Sequence, residues 1–474
     1  MATKIGRRIA TLGEGNPWWR NPNWHESDPD LRDAKGNQID YHSGTLDELQ
    51  EGNLYILRGP RRVGKTVAIK QTIKALLDSG KPVNSIVRIS AEGWTTHKLE
   101  DFLTSTPLPP IPEGSSRYWF IDEISSINGR WDQLIKELRD ENPEFRAATV
   151  VLTGSNAASL AEAAGTLAGR RGKGVGQDRI LLPMGFATFV SLVKSHSLPP
   201  RADINLSEVR GSKAKAAYDS LNPWLGELVK LWELYLGYGG FPQVVAAAKA
   251  GIPIPENFVN TLFDVIQNDA FKASKLDITT STALQEAVWR RISVPLVVAN
   301  VANEVGILDD VLTRHLQYLR DSFLLWRCPK RQPLAWLALE KSQDKIYAID
   351  PIVSRLAHLR NPKRADVDIT VLSEMQIGMA LKRRLAATGV GVGLDDTIFY
   401  FTNASRTEID FISDYLGAAA LEGKYTENDA WKPEAATLKA SQWDGIMLTR
   451  NVLDTSDSET WAVPAAIFCY LLDT

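Results

Sequence analysis

Between positions 46 and 190 the spacing of apolar residues alternates between that of strands and that of helices. Four short apolar stretches, "NLYILR", "VNSIVRIS", "RYWFIDEI" and "AATVVLTGS", have the length and composition of buried strands. Among them, "TVAIKQTIKALLDSG" and "WDQLIKELRDE" repeat their apolar residues at helical spacing. Strands that alternate with helices indicate a parallel sheet with crossover helices, so this region is predicted to be an α/β domain.

The pattern changes outside this region. The early stretch "NPWWRNPNWHESDPD" mixes tryptophan with proline and acids, which excludes one continuous helix or strand, and we expect Trp18, Trp19 and Trp24 to pack on the neighbouring domain. Helices then predominate. Further along, three helices are followed by two strands, which is the order of a winged helix. The predicted boundaries are 1–45 for the arm, 46–195 for the α/β core, 196–274 for a helical lid region, 275–360 for a winged-helix domain and 361–474 for a final domain that begins with a helix and continues as strands.

Composition and charge restrict the class of protein. The chain has 474 residues, of which 44% are hydrophobic and 23% charged, which is typical of a globular protein with several domains. Its net charge of −3 means that nucleic-acid binding would have to use local basic patches. Only Cys328 and Cys469 are cysteines, which excludes a zinc ribbon and argues against a disulfide framework. No apolar run reaches about 18 residues and no signal peptide is recognisable, so we expect no membrane contact and a cytoplasmic location.

The segment "GPRRVGKT" fits the phosphate-binding pattern G-x-x-x-x-G-K-[ST], with a predicted strand before it and a helix after it. In such a loop, backbone N–H groups and the helix N-terminus bind phosphate oxygens. Lys65 is expected to reach the β- and γ-phosphates of ATP, and Thr66 to bind Mg²⁺. The predicted nucleotide-binding residues are Gly59, Pro60, Arg61, Arg62, Val63, Gly64, Lys65, Thr66 and Val67.

Two later stretches complete the predicted ATP site. In "RYWFIDEIS" a buried strand ends in two acids, of which Asp122 is expected to hold Mg²⁺ and Glu123 to polarise the attacking water. The strand in "VVLTGSN" ends in polar residues that could contact the γ-phosphate or that water, namely Thr153, Ser155 and Asn156.

A charge-neutralising group for the transition state could come from "LAGRRGKG". Either Arg170 or Arg171 would supply it, in its own subunit or in a neighbouring one. The alternative is a basic loop that is merely solvated.

The ordered series of motifs resembles a family of predicted AAA+-superfamily ATPases of archaea and bacteria. The matching stretches are "LYILRGPRRVGKT", "IDEIS" followed by "RWDQLIKELRD", "LTGSNAASL", "GRRG", "LLPMGFATFV", "GYGGFP", "KIYAIDP", "EIDF" and "EGK". The resemblance implies an α/β fold with a P-loop AAA+-type parallel sheet core, a helical lid, a winged helix and a C-terminal restriction-endonuclease-like α/β domain. In the terminal domain it implies an acid, a second acid and an E-x-K element, the PD-(D/E)xK pattern of nucleases.

The stretch "EIDFISDYLGAAALEGKY" is predicted to be a hairpin whose side chains suit a nuclease. Because side chains alternate along a strand, Glu422 and Lys424 share a face, and Asp410 on the preceding strand can lie beside them. Asp410 and Glu422 could then hold Mg²⁺, and Lys424 could orient a water for attack on a phosphodiester. Glu374, at the start of the helix "SEMQIGMALKRRL", resembles the family's first-helix acid. Gly423 departs from the branched residue usual in the family, and an ordinary half-exposed hairpin is the alternative.

The third helix of the predicted winged-helix domain carries side chains that suit DNA recognition. Arg314 and Gln317 are expected to share a face, with Tyr318 nearby. The alternative is that Tyr318 and Leu319 face the core and the arginines are solvated. The polar and aromatic residues in or just after this helix are Arg314, His315, Gln317, Tyr318 and Arg320.

Together these patterns predict an ATP-hydrolysing AAA+ ATPase that uses ATP and Mg²⁺ and carries a metal-dependent nuclease domain acting on DNA. A role in prokaryotic defence or mobile-element biology rests on the resemblance alone. One alternative is a regulatory switch whose terminal domain is an inert binding module. Another is a remodeller of proteins, for which Trp94 between the two nucleotide-binding motifs is an indication and which ATP-dependent assembly into a homo-oligomer would favour.

Overall fold

The chain folds into two compact units, Met1–Leu181 and Leu182–Thr474, each with its own sheet. The computed structural model describes residues 12–36, 39–154, 157–174, 176–194, 198–274, 276–388, 396–402 and 408–473.

The first unit is built on a five-stranded sheet with the order β2-β3-β4-β1-β5, in which every neighbouring pair is parallel. The strands are β1 (Leu54–Arg58), β2 (Ile86–Ser90), β3 (Tyr118–Asp122), β4 (Thr149–Thr153) and β5 (Asp178–Ile180). The helices are α1 (Trp24–Ser27), α2 (Pro29–Gly36), α3 (Lys65–Asp78), α4 (Thr96–Ser105), α5 (Trp131–Glu141), α6 (Pro143–Ala147) and α7 (Ala157–Thr166). The four strands and two helices predicted from apolar spacing are all present.

The central strands are apolar, as parallel strands covered on both faces must be. Every residue of β3 and β4 is buried. Because parallel strands all end at the same edge of a sheet, the ends of β1, β3 and β4 bring Gly59, Asp122 and Thr153 to one edge. Ligands of open α/β sheets bind at this edge, so the fold assembles one site from three separate motifs.

The tryptophan-rich arm covers the outer edge of the sheet at β2. The indole N–H groups of Trp18 and Trp19 both donate to the carbonyl of Ile86, at 3.1 and 3.0 Å. Asn16 makes two hydrogen bonds with the backbone of Arg88, of 2.9 and 2.6 Å. These bonds occupy backbone groups of an edge strand that could otherwise pair with another chain. The tryptophans therefore pack on the neighbouring domain, as expected.

The second unit begins with a helical region that has an aromatic core. Its helices are α8 (Phe186–Val193), α9 (Ser212–Leu221), α10 (Leu225–Tyr238), α11 (Pro242–Ala250) and α12 (Glu256–Ser274). The ring of Phe186 packs edge-on against Trp232 with centroids 4.9 Å apart, and Tyr235 contacts both Phe186 and Phe189. The predicted helical region is present, and its role as a lid stays a prediction.

Three helices and an antiparallel pair of strands follow, in the order predicted for a winged helix. They are α13 (Ile278–Trp289), α14 (Val298–Val305), α15 (Asp309–Asp321), β6 (Leu325–Cys328) and β7 (Lys345–Ala348). In the pair, Cys328 lies opposite Lys345. The assignment of these elements as a winged-helix domain stays a prediction.

The last part of the chain combines helices with a mixed sheet of order β12-β11-β10-β9-β8, in which β8, β9 and β10 pair antiparallel and β10, β11 and β12 pair parallel. The strands are β8 (Phe399–Thr402), β9 (Glu408–Ile412), β10 (Ala419–Gly423), β11 (Asp444–Thr449) and β12 (Thr460–Pro464). The helices are α16 (Pro351–Arg360), α17 (Ile369–Ala387), α18 (Trp431–Glu434), α19 (Ala436–Lys439) and α20 (Ala465–Leu472). The predicted hairpin is present as β9 and β10.

Helix α17 begins earlier than its sequence suggested. The side chain of Asp368 caps it by accepting a hydrogen bond from the backbone N–H of Thr370 at 2.8 Å, so the helix starts at Ile369. Glu374 therefore lies in the second turn, beyond the first turn where the helix dipole favours acids. The helix dipole therefore does not explain an acid at position 374, whereas the contacts of the Glu374 side chain do.

These observations confirm the α/β class and the parallel core sheet, together with a helical region and a mixed C-terminal sheet. Cys328 and Cys469 are buried and form no disulfide. In the described ranges of the chain, no helix is both long and apolar enough to cross a membrane. The domain boundaries predicted within each unit stay predictions.

Candidate functional site

The loop between β1 and α3 requires backbone conformations with positive φ. The angle is 149° at Gly59, 64° at Arg62 and 103° at Gly64. A Cβ on Gly59 would lie 2.1 Å from the carbonyl oxygen of Leu181, so only glycine fits there. Helix α3 begins at Lys65, and its first N–H groups have no partner within the helix. The predicted phosphate-binding segment is thus a tight strand-to-helix turn at a helix N-terminus, a geometry that binds anions.

Lys65 spans this loop. Its Nζ donates to the carbonyl oxygens of Gly59 and Pro60, both at 2.8 Å. Burial lowers the pKa of Lys65 to about 8, although the charges of Glu123 and Asp122 act in the opposite direction. Neutral carbonyls are weaker partners for an ammonium than phosphate oxygens, so this lysine can exchange them for a bound triphosphate.

The acid that ends β3 faces the start of α3. Asp122 Oδ2 accepts hydrogen bonds from Thr66 Oγ1 at 3.2 Å and from Arg88 Nη2 at 2.8 Å. The predicted Mg²⁺ ligands Thr66 and Asp122 are therefore adjacent, and their oxygens are the type that Mg²⁺ prefers. Arg88 was not predicted to be at this site. It lies within the strand "VNSIVRIS", whose apolar pattern gave no sign that its guanidinium would reach Asp122.

Glu123 and Thr153 lie at the ends of two neighbouring strands, β3 and β4. Glu123 has a left-handed backbone with φ of 54° in the turn after β3. Thr153 ends β4 beside Leu57 of β1, and it is fully buried. The Thr153 hydroxyl has no hydrogen-bond partner among the described residues, which is uncommon for a buried polar group and marks it as a candidate ligand contact. Ser155 and Asn156, the other polar residues predicted here, lie outside the described residues.

The two arginines of "GRRG" lie at the opposite end of β1 from the phosphate-binding loop. The carbonyl of Arg171 accepts from the N–H of Leu54 at 2.9 Å, and its guanidinium is held by an acid of β5. Arg170 pairs with Asp140 at 2.7 Å. Since Leu54 begins β1 and Gly59 follows its end, the strand alone puts about 16 Å between them at roughly 3.3 Å per residue. Neither arginine contacts the loop of its own chain in this arrangement.

A second cluster of charged side chains lies in the second unit. Glu374 comes from α17, Asp410 from β9 and Glu422 from β10, and Lys424 follows β10 directly. The register of the hairpin puts Asp410 opposite Glu422. The side chains of all three acids are largely or fully buried. The four residues predicted from the hairpin and the helix therefore come together.

The carboxylates of the hairpin are held by the strands that carry them. Asp410 Oδ2 accepts from the N–H of Gly423 at 2.9 Å, and Glu422 Oε2 accepts from the N–H of Asp410 at 3.1 Å. Lys424 Nζ lies 3.0 Å from Glu422 Oε1. Both carboxylates thus have fixed orientations that do not depend on a ligand.

Lys345, which begins the matching stretch "KIYAIDP" but was given no role from the sequence, lies at the point where the carboxylates converge. Its Nζ is 2.7 Å from Asp410 Oδ1, 2.7 Å from Glu408 Oε1 and 3.5 Å from Glu374 Oε1. Tyr347, two residues further along β7, donates its hydroxyl to the same Glu374 oxygen at 2.6 Å. The available signal was a lysine that opens a buried strand in "KIYAID", and buried lysines are rare unless they are paired.

Burial and mutual repulsion shift the pKa values in this cluster. Burial, and then the charge of Asp410, raise the pKa of Glu374 and that of Glu422 to about 8. Burial alone would lower the pKa of Lys345, but the charges of Asp410, Glu374 and Glu408 together raise it well above its ordinary value. Lys345 is therefore charged at neutral pH.

Gly423 allows α17 to approach the sheet. A Cβ at this position would lie 3.3 Å from Cγ of Glu374 and 3.4 Å from its Cα, which is tighter than side chains normally pack. A side chain at position 423 would therefore require Glu374 to shift by a few tenths of an ångström.

The ammonium of Lys345 lies against an oxygen that was predicted to hold a metal ion. Within the described ranges, no three histidine, cysteine, aspartate or glutamate side chains are arranged to hold a metal ion. Mg²⁺ needs oxygens at about 2.0–2.1 Å in near-octahedral geometry, whereas Asp410 Oδ1 is occupied by the ammonium. Asp410 and Glu422 lie together as predicted, and their role as metal ligands stays a prediction.

The residues of α15 proposed for DNA recognition are divided between surface and core. Arg314 and Gln317 are exposed, and each pairs with an aspartate one turn away on the same helix. His315 and Leu319 are fully buried, while Tyr318 is half-buried. The surface of α15 therefore offers Arg314 and Gln317 to a partner and does not offer His315.

Comparison with known proteins gives a family match for the first unit. Residues 51–190 match a family model described as an AAA domain. The Walker-type ATPase PABY2304 of Pyrococcus abyssi is 14% identical, with a TM-score of 0.40, over 67% of this chain and 94% of that chain. RuvB of Thermotoga maritima is 18% identical, with a TM-score of 0.25, over 61% of this chain and 85% of that chain. The ORC2 protein of Aeropyrum pernix in its ADP form is 10% identical, with a TM-score of 0.33, over 70% of this chain and 93% of that chain.

No curated protein matches the chain. The family match covers the strand β1, the phosphate-binding loop, the acids that end β3 and the end of β4. Residues 51–190 are thus a P-loop AAA ATPase domain.

Proposed function

We propose that the first unit binds ATP with Mg²⁺ and hydrolyses it. The observation that carries this proposal is the convergence of the Lys65 loop and the Thr66–Asp122 pair at one edge of a parallel sheet. Glu123 follows Asp122 directly, in the position for a group that polarises water. The match of residues 51–190 to an AAA domain supports the same conclusion.

Each residue has a defined task in this proposal. Lys65 leaves the carbonyls of Gly59 and Pro60 and binds phosphate oxygens. Thr66 and Asp122 are the residues that would hold Mg²⁺, which when bound neutralises phosphate charge and orients the reacting group. Glu123 accepts a hydrogen bond from the attacking water, and the Thr153 hydroxyl is available to the same water or to a phosphate oxygen.

Two substitutions separate binding from hydrolysis. Lys65→Ala removes the ammonium and should abolish ATP binding in isothermal titration calorimetry. Glu123→Gln should leave binding intact and reduce phosphate release at least a hundredfold, because general-base catalysis is typically worth about 10²–10⁴. Lys74→Ala, on the exposed face of the same helix, is the matched control and should change neither. ATP turnover by Lys65→Ala at the parent rate would refute the proposal.

We further propose that Arg170 acts on the nucleotide of a neighbouring subunit. In its own chain it lies beyond the far end of β1 from the loop, which leaves action across an interface between copies. Arg170→Ala should then lower kcat without changing ATP affinity. A mixture of Arg170→Ala with Lys65→Ala should regain turnover, because the first supplies a nucleotide site and the second an arginine. If the mixture is no more active than its parts, the arginine does not act across an interface.

A nuclease-like centre is the second candidate function. The convergence of Glu374, Asp410, Glu422 and Lys424 favours it, because two acids and a lysine from adjacent strands are the elements of a phosphodiester-cleaving site. This centre could serve one of two functions. It could cleave nucleic acid with a metal ion, or it could be part of an inert binding domain that ATP controls. Incubation with DNA and RNA in the presence of Mn²⁺ distinguishes them, with Asp410→Ala as the matched control. Cleavage that survives Asp410→Ala would come from elsewhere.

DNA is the partner that we propose for the exposed face of α15. Arg314 and Gln317 present a cation and an amide at adjacent positions of the predicted recognition helix. Replacing both by alanine should weaken binding of duplex DNA in fluorescence anisotropy, whereas Lys230→Ala, an exposed lysine elsewhere in the unit, should not. Equal binding by both variants would remove α15 from consideration.

The remodeller hypothesis gains no support from Trp94. Its ring packs on Phe102 with centroids 5.3 Å apart, and the ammonium of Lys98 lies 4.2 Å from its centre. A side chain that is packed in this way does not present an aromatic surface to a translocating partner.

A further inference from the structure

Three carboxylates from two elements surround one buried ammonium in the second unit. We propose that Lys345 is the resident cation of this cluster, and that it occupies the place a divalent metal would take in a nuclease centre and excludes that metal. The proposal rests on the nuclease-like centre proposed above and decides between the two functions that it could serve. It favours the inert binding domain.

The geometry matches an ammonium well. An ammonium has three N–H donors and no acceptor, and here Asp410 accepts one charge-assisted hydrogen bond of 2.7 Å. Glu408 and Glu374 add ion pairs at 2.7 and 3.5 Å. The side chain of Lys345 is only 1% exposed, so these acids are the partners that compensate its loss of water.

The carboxylate oxygens that a metal would need are already engaged. Asp410 uses one oxygen for Lys345 and the other for the N–H of Gly423. Glu422 uses one oxygen for Lys424 and the other for the N–H of Asp410. A metal ion at Asp410 Oδ1 would have to displace the ammonium, and the backbone bonds restrict how the two carboxylates can turn towards it.

The ammonium is enclosed, since the side chain of Lys345 is 1% exposed and the ring of Tyr400 lies 5.8 Å from Nζ. Tyr347, which binds Glu374, stacks on Trp326 with centroids 4.8 Å apart and also contacts Phe411. Mg²⁺ gives up its water reluctantly, so an enclosure of this kind opposes its entry. The same enclosure excludes water from the ion pairs and strengthens them.

Lys345 also joins two parts of the second unit. It begins β7, whereas Asp410 lies in β9 of the mixed sheet. Next to these ion pairs, Arg331 N–H donates to Tyr400 O and Tyr400 N–H donates to Pro329 O, both at 3.0 Å. The ammonium therefore ties the strands of the predicted winged helix to the nuclease-like sheet, and its removal should loosen that connection.

Metal binding by the full chain tests the proposal directly. With nucleotide omitted, so that the first unit offers no phosphate-bound metal, Mn²⁺ is titrated and followed by electron paramagnetic resonance. The parent chain should bind no more Mn²⁺ than Asp410→Asn does. Addition of a chelator should leave the Tm of the parent chain unchanged. Parent Mn²⁺ binding that is lost in Asp410→Asn would overturn the proposal, whereas it would leave the nuclease-like centre itself in place.

Replacement of the lysine tests its role as counter-charge. Lys345→Met keeps the length of the side chain and removes the charge, so its Tm should fall by several degrees, and Mn²⁺ should now bind and restore part of the loss. Lys432→Met, an exposed lysine of the same part of the unit, is the control and should behave like the parent.

If Lys345→Met does not fold, the double variant Lys345→Met with Asp410→Asn removes one negative charge together with the ammonium. This double variant should be more stable than Lys345→Met alone, since the uncompensated buried charge is reduced. A Lys345→Met chain with parental Tm and no Mn²⁺ binding would show that the ammonium is not the counter-charge of the cluster. A double variant no more stable than the single one would show the same.

Discussion

The phosphate-binding loop should tolerate no side chain at position 59. The expected loss in the free energy of unfolding has two parts, backbone strain and steric overlap. Gly59→Ala would put a Cβ 2.1 Å from the Leu181 carbonyl oxygen at a residue with φ of 149°. Gly80, which follows α3, has φ of 87°, and no heavy atom lies within 4 Å of its added Cβ. Gly80→Ala therefore measures the backbone strain alone, which is about 1–2 kcal/mol for a left-handed residue. Gly59→Ala adds the steric overlap to this strain.

The overlap at position 59 should have a functional consequence as well. Relief of a contact of 2.1 Å requires the loop or the segment at Leu181 to move by about 1 Å or more, and a displacement of that size near a reacting group can cost about a hundredfold in rate. The Gly59 carbonyl also binds Lys65, so the ammonium would move with the loop. We expect Gly80→Ala to lower the free energy of unfolding slightly and to leave ATP turnover unchanged, and Gly59→Ala to lower both. Denaturant titration and phosphate release measure the two effects, and equal losses in both variants would refute the argument from steric overlap.

Three further predictions concern buried polar groups. His315 is buried and has no hydrogen-bond partner in the part of the chain that the structure describes, and burial lowers its pKa to about 4 from 6.5. The unfolding free energy should therefore fall by up to about 3 kcal/mol as the pH drops from 6.5 to 4, and His315→Leu should flatten this dependence in urea titrations. Arg139 makes five hydrogen bonds to backbone carbonyls, and Arg139→Met should cost about 3 kcal/mol or more in denaturant titrations, against at most about 0.5 kcal/mol for Lys74→Met at an exposed i,i+4 bridge. Asp473 pairs with the buried guanidinium of Arg383 at 2.6 Å, so Asp473→Ala should cost about 3–5 kcal/mol, and adding Arg383→Met should recover part of the lost Tm. A pH profile unchanged in His315→Leu, or losses no larger than that of Lys74→Met, would contradict the respective prediction.

The sequence predicted what depends on neighbouring residues. Lys65 and Thr66 could be placed because the loop motif, the strand before it and the helix after it are contiguous, and Asp122 could be placed because acids end an apolar strand. The hairpin could be predicted because side chains alternate along its two strands, which brought Asp410 and Glu422 opposite each other. In each case the information lies within one or two elements.

What depends on packing between distant segments could not be predicted. Arg88 reaches Asp122 across 34 positions of sequence, and Lys345 reaches Asp410 across 65. Arg88 sits in no motif, and the matching stretch that begins with Lys345 gave no sign of its partners. The start of α17 was predicted too late because its cap, Asp368, precedes the apolar pattern. The sequence could not show whether the arginines act in their own subunit, because their place at the start of β1 appears only from the bond between Leu54 N–H and the Arg171 carbonyl.

Asp122 and Asp410 are both predicted to hold Mg²⁺ and each is paired with a cation of the protein, and the difference between these two pairs indicates which carboxylate can accept the metal. Arg88 contacts Asp122 from a side chain that is 16% exposed, and among the described residues it forms an ion pair with no second acid. A nucleotide brings phosphate charges that attract both Arg88 and Lys65, so the guanidinium can leave Asp122 when the metal arrives. Lys345 is almost fully enclosed and held by three acids, and no anion enters with a free metal ion to compensate its displacement. Exchange is therefore favourable at Asp122 and unfavourable at Asp410, which is the physical reason to expect metal-dependent chemistry in the first unit and not in the second.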